Sequence, residues 1–197
     1  MTFDHSHTFF PALWALAAFY VTLYAALVLH EMGHAFAARR CGWKILPVIL
    51  GKGRHSCAVP FLGLVVEFRP IPIGGRVDDE PEHSTKMQKD YPKIYARQTR
   101  LVALSGPLAN VLPLMLFGHL YYVRLRELSD SLPELAWNLN AVTNFIREGG
   151  SLLLFNPLLC CSFFISIAYA LGNLVPFRGY DGWVFIKGID SRAPSGS

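Results

Sequence analysis

His30, Glu31 and His34 form an H-E-x-x-H pattern within Leu29-His30-Glu31-Met32-Gly33-His34. Two histidines four apart project from one face of an α-helix. There, two neutral ring nitrogens can hold one zinc ion at roughly 2.0–2.1 Å each. A glutamate beside the first histidine reaches a water on such a metal and can act as its general base. The surroundings are unusual for this chemistry, because no charged residue occurs from residue 9 to residue 29. A helix over about 9–38 would therefore carry both histidines at the end of a membrane span, where ionisable groups are costly and mark functional sites.

A catalytic zinc site has three protein ligands and one open position. The helix face offers only two, so the third must come from elsewhere. Asp181 is the leading candidate: it follows the last long apolar segment and is flanked by Gly179 and Gly182, which permit a tight turn. Glu67, Asp78, Asp79, Glu80 and Asp190 stand in more polar surroundings. Asn110 and Asn173 share the expected depth of the histidines. Their amides can hold an extended substrate backbone or stabilise an oxyanion, or they can bond helix to helix. The residues alone leave both readings open.

These groups need elements to position them. Of the 197 residues, 52% are hydrophobic and 16% charged, against about 25% charged in ordinary soluble domains. An integral membrane protein is expected, with no nucleic-acid partner. Segments 9–38, 101–123 and 151–177 are each long enough to span a bilayer about 30 Å thick, and Asn156-Pro157 suits the start of the third. The expected fold is an all-α membrane bundle, a single domain over 1–197 with three transmembrane helices as its core. Twelve Lys and Arg residues fall within 39–100 and three within 124–150. This bias makes 39–100 the cytoplasmic connection and 124–150 the outer one. A multi-pass protein of the cell membrane follows, with its N-terminus outside and its C-terminus and active site on the cytoplasmic side. The first ten residues hold no Lys or Arg, so no cleavable signal peptide is expected.

The connections carry structure of their own. Runs 45–50 and 59–68 are apolar and β-branched, separated by Gly51-Lys52-Gly53, which reads as strands and a turn. Residues 69–76 (Arg-Pro-Ile-Pro-Ile-Gly-Gly-Arg) then break regular structure, and 78–92 reads as solvated. A small membrane-associated β segment between spans one and two is expected. Leu128, Leu132, Leu135, Leu139, Val142 and Ile146 recur on one helical face, which predicts an amphipathic helix between spans two and three.

HEMGH in span one, ALSGPLAN in span two and NLVPFRGYDG after span three occur in this order. Together they resemble the site-two protease family of intramembrane zinc metalloproteases, in a compact bacterial or archaeal form without PDZ or CBS domains. The resemblance implies one zinc per chain on His30, His34 and Asp181, with Glu31 as catalytic base. It implies that Asn110 and Asn173 position the substrate. Residues 72–75 resemble the family's membrane-associated β segment, so Pro72, Gly74 and Gly75 are expected to meet substrate through β-addition. The implied activity is regulated cleavage of transmembrane or membrane-associated segments of regulatory proteins. Its partners would be a membrane-protein substrate, the lipid bilayer and a regulatory membrane protein. The alternative is a non-proteolytic zinc-binding scaffold or transporter, although transporters have more spans. One departure is Trp183, where many relatives carry a second glycine after the ligand aspartate.

Overall fold

A long, nearly uncharged apolar run carries helix α1 (Ser6–Arg40) without a break through the H-E-x-x-H stretch. Its final turn ends in Arg39 and Arg40, cations that suit a helix C-terminus. Four strands follow, β1 (Val48–Lys52), β2 (Cys57–Phe61), β3 (Leu64–Phe68) and β4 (Ile71–Arg76). Then come α2 (Pro81–Asp90), α3 (Pro92–Asp130), α4 (Pro157–Gly172) and α5 (Asp181–Lys187). This is a computed structural model, and it describes residues 6–130, 157–178 and 180–187. The chain divides into two units, residues 1–23 with 113–165 and residues 24–112 with 166–197.

In the first unit, α1 presents Leu13, Leu16, Phe19 and Val21 to the exterior and buries Ala18 and Thr22. The Thr22 hydroxyl donates to the Ala18 carbonyl at 2.8 Å, so the helix satisfies its own polar group. Large side chains outward and small ones inward is the pattern lipid selects.

The second unit holds the sheet and every candidate site residue. Strand order is β2-β3-β1-β4, with β1 parallel to β3 and the other pairs antiparallel. Val48 and Leu50 of β1 and Val66 of β3 pack with Leu27, Met32 and Ala35 of α1. Burying a side chain of the Val or Leu size stabilises by about 1.5–3 kcal/mol, so the sheet is seated firmly on α1. The Tyr24 hydroxyl adds a bond to the Arg69 carbonyl at 2.8 Å. On the far side of the histidine turn, Ala38, Trp43, Tyr95 and Val102 form a second cluster joining α1 to α3. Arg39 donates to the Leu62 carbonyl at 3.0 Å, which ties the β2–β3 turn to the end of α1.

The expected all-α bundle is corrected by this sheet, which forms part of the core. The β segment is also larger than expected. Residues 59–68 form a hairpin with Leu62 and Gly63 at positive φ, and residues 71–76 form β4 where irregular backbone was expected. Pro70 and Pro72 argued against a strand, yet β4 is an edge strand, where proline is tolerated. Residues 81–90 form a helix. Among the described residues, two helices and not three are long and apolar enough to cross a membrane: Leu13–Arg40, mean hydropathy 1.8, and Pro92–Leu120, mean hydropathy 1.7. Among the described residues, the third apolar segment contributes α4, 16 residues or about 24 Å long, short of a bilayer core of about 30 Å. The amphipathic helix expected over 128–146 lies, beyond Asp130, outside the described residues.

Candidate metal centre

His30 and His34 face one another across one turn of α1, Nε2 to Nε2, at 3.1 Å. Asp181 Oδ2 lies 2.9 Å from His30 Nε2 and 3.2 Å from His34 Nε2. The chain brings the three together by joining α5 closely to the end of α4. The Gly182 amide donates to the Asn173 carbonyl at 2.7 Å, fixing the first turn of α5 with Asp181 at its head. Gly179, the other expected turn glycine, lies outside the described residues. All three candidate ligands are buried, at 4–7% exposure.

The donor set fits zinc. Bonds of 2.0–2.1 Å in a tetrahedral shell put ligand atoms about 3.3 Å apart, close to the three separations observed. The carboxylate is ready to bind: burial alone would raise its pKa, but hydrogen bonds from His30 and His34 hold it below the ordinary value. A metal ion would take the place of those two imidazole protons. The far side of His34 is already arranged, because its Nδ1 sits 2.6 Å from the Val102 carbonyl. A proton on Nδ1 leaves the Nε2 lone pair for the metal. Gly106 of α3 makes the room, since a Cβ there would clash with the His34 ring at Nε2 and Cε1.

Glu31 stands at the wall between two cavities. One, about 30 Å³, is also lined by His34, Thr99 and Asp181, and it has room for a single water. The other, about 580 Å³, is lined by His30, Glu31 and Asp181 together with Gly74, Gly75 and Asn173. Gly75 touches the Glu31 carboxyl so closely that a Cβ would lie 2.5 Å from its Cδ and Cγ. The edge strand thus rests against the expected base with nothing larger than hydrogen between.

The expected substrate residues divide. Gly74, Gly75 and Asn173 line the large cleft, and Asn173 Nδ2 also donates to the Tyr169 carbonyl at 3.2 Å. Pro72 is buried in β4, away from the cleft lining. Asn110 is fully buried, with its amide against His30. Sequence reasoning missed Gly106, Val102 and Tyr169. Gly106 is signalled by its place one helical turn before Asn110. Tyr169 stands one turn before Asn173 and packs its ring edge on His30, centroids 5.6 Å apart. Nothing in the sequence singles out Val102, which acts through its backbone.

Comparison with known proteins agrees with this geometry. Residues 18–193 match Peptidase family M50. A protein of Vibrio cholerae provisionally named a zinc metalloprotease is 32% identical over 108 residues, 51% of this chain and 24% of the relative. The regulator of sigma E protease of Haemophilus influenzae is 32% identical over 104 residues, 50% of this chain and 24% of its own. The regulator of sigma-E protease RseP of Escherichia coli is 31% identical over 105 residues, 50% of this chain and 23% of its own. The chain thus spans about a quarter of the length of these relatives. Since the family match runs through both the H-E-x-x-H helix and Asp181, the chain belongs to peptidase family M50, the site-two protease family of intramembrane zinc metalloproteases.

Proposed function

We propose that this chain is an intramembrane zinc metalloendopeptidase that cleaves transmembrane or membrane-associated segments of regulatory proteins. The observation that carries the reading is the position of Glu31, with the buried His30, His34 and Asp181 on one side and a cleft edged by β4 on the other. His30, His34 and Asp181 would hold one zinc ion, which when bound supplies a water of lowered pKa and polarises a carbonyl. Glu31 takes the proton of the attacking water and delivers it to the leaving amine. The substrate arrives as an extended chain, since a helical segment has its carbonyls tied up in hydrogen bonds. The outer edge of β4 offers backbone groups to such a chain, with Gly74 and Gly75 letting it approach Glu31 and Asn173 facing it across the cleft.

The bias of Lys and Arg toward residues 39–100 supports a cell-membrane orientation with that connection, and with it the site, on the cytoplasmic side. A regulatory membrane protein would present or prime the substrate. The names of the sigma-E protease relatives favour regulatory substrates over general degradation.

Co-expression with single-span candidate substrates tests the proposal. Glu31→Gln is expected to keep zinc and to lower cleavage about 10²–10⁴-fold, the usual worth of a general base. Cleavage that survives this substitution would remove the chemistry from this site and return the scaffold or transporter reading.

A further inference from the structure

The two histidines are backed differently. His34 has the Val102 carbonyl behind it, an acceptor and nothing else. His30 has a side-chain amide: Asn110 Nδ2 lies 3.3 Å from His30 Nδ1. Asn110 comes from α3, is wholly buried, and its Oδ1 has no hydrogen-bond partner among the described residues. A buried acceptor left unmatched is destabilising, because it has given up water without gaining a donor.

The orphan oxygen and the metal site explain one another. In the arrangement seen, the Asn110 NH2 group faces Nδ1 of His30, while Nε2 of the same ring faces Asp181. With a metal on Nε2, the proton belongs on Nδ1, and an NH2 group facing it would set donor against donor. A half-turn about the last side-chain bond exchanges the amide's oxygen and nitrogen. Oδ1 then accepts from Nδ1–H, and the unmatched acceptor gains a partner. We infer that Asn110 is the positioning residue of His30, its Oδ1 accepting from Nδ1–H when Nε2 holds a metal. This assigns Asn110 a place behind the metal instead of a contact with substrate, and it rests on the zinc reading above.

The test is zinc affinity of the full chain in detergent, measured by chelator competition with zinc alone as the probe. Asn110→Leu keeps the volume and removes the acceptor; it is expected to bind zinc about 10–100-fold more weakly, the usual cost of losing such a partner. Asn110→Asp restores an acceptor and is expected to come within about threefold of the unaltered chain. Wild-type affinity in Asn110→Leu would overturn the inference, as would equal weakening of both variants when both elute as monodisperse protein. If Asn110→Leu does not fold, nitrogen NMR of the zinc-loaded unaltered chain decides: a protonated Nδ1 on His30 supports the inference and a metal-bound Nδ1 overturns it. An unaltered chain that takes up no zinc would instead defeat the metal reading itself.

Discussion

The wall of the cleft built from α1, α3 and α5 is braced from behind, whereas the wall built from β4 is open. On the helical side, His34 is held by Val102, His30 faces Asn110, and the Asp181 turn is fixed through Asn173. On the strand side, among the described residues, β4 has β1 on one edge and no strand of the sheet on the other, and a Cβ at Gly74 would meet nothing within 4 Å beyond its chain neighbours. A metal site needs ligands that do not move, since its affinity depends on their geometry. A surface that takes up an unwound peptide needs free backbone groups and space. The two requirements meet at the Gly75–Glu31 contact.

The contrast can be broken from either wall. The largest effect is expected at Gly106, where an added methyl group clashes with the metal-facing edge of the His34 ring. Gly106→Ala should weaken zinc binding about 100-fold or more and take cleavage down with it, and metal analysis of the purified variant reads this directly. Zinc at full occupancy would mean that α3 can yield, and that the wall is not braced as described. Gly75→Ala should act on the other wall. Its methyl group displaces Glu31 or β4, so cleavage should drop about 100-fold from a shift near 1 Å while bound zinc stays at one per chain. Loss of zinc in that variant would merge the two walls into one. The smallest effect belongs to Gly74, whose φ of 69° is strained for any side chain. Gly74→Ala costs about 1–2 kcal/mol locally, and a KM about fivefold higher with kcat little altered would sharpen the division of labour.

How much of this was legible in the residues differs between the walls in the same way. Spacing of four within a helix is a local property, so His30 and His34 could be read directly as a pair. Asp181 could be reached from its glycine neighbour and the apolar segment ahead of it. The strand wall was harder. Pro70 and Pro72 speak against a strand unless the strand is known to lie at an edge, and edge position follows from pairing between distant segments. The single Gly63 was too weak a signal to divide residues 59–68 into a hairpin, because Leu62 takes a positive φ of 51° that leucine rarely adopts. An uncharged stretch from 151 to 177 suggested a full span, but α4 ends at Gly172, where the chain turns to bring Asp181 to the histidines. The role of Val102 was not legible at all, because a backbone carbonyl has no letter in the sequence.

The contact of Asp181 with His30 and His34 also closes the chain on itself. About three-quarters of the sequence lies between these residues, and contacts so distant along the chain slow folding. Whatever joins the three side chains therefore acts as a clasp between an early segment and a late one. A chain interrupted before α5 would carry the histidines and the base but leave them one arm short. Completion of the fold and assembly of this three-residue cluster are then the same event.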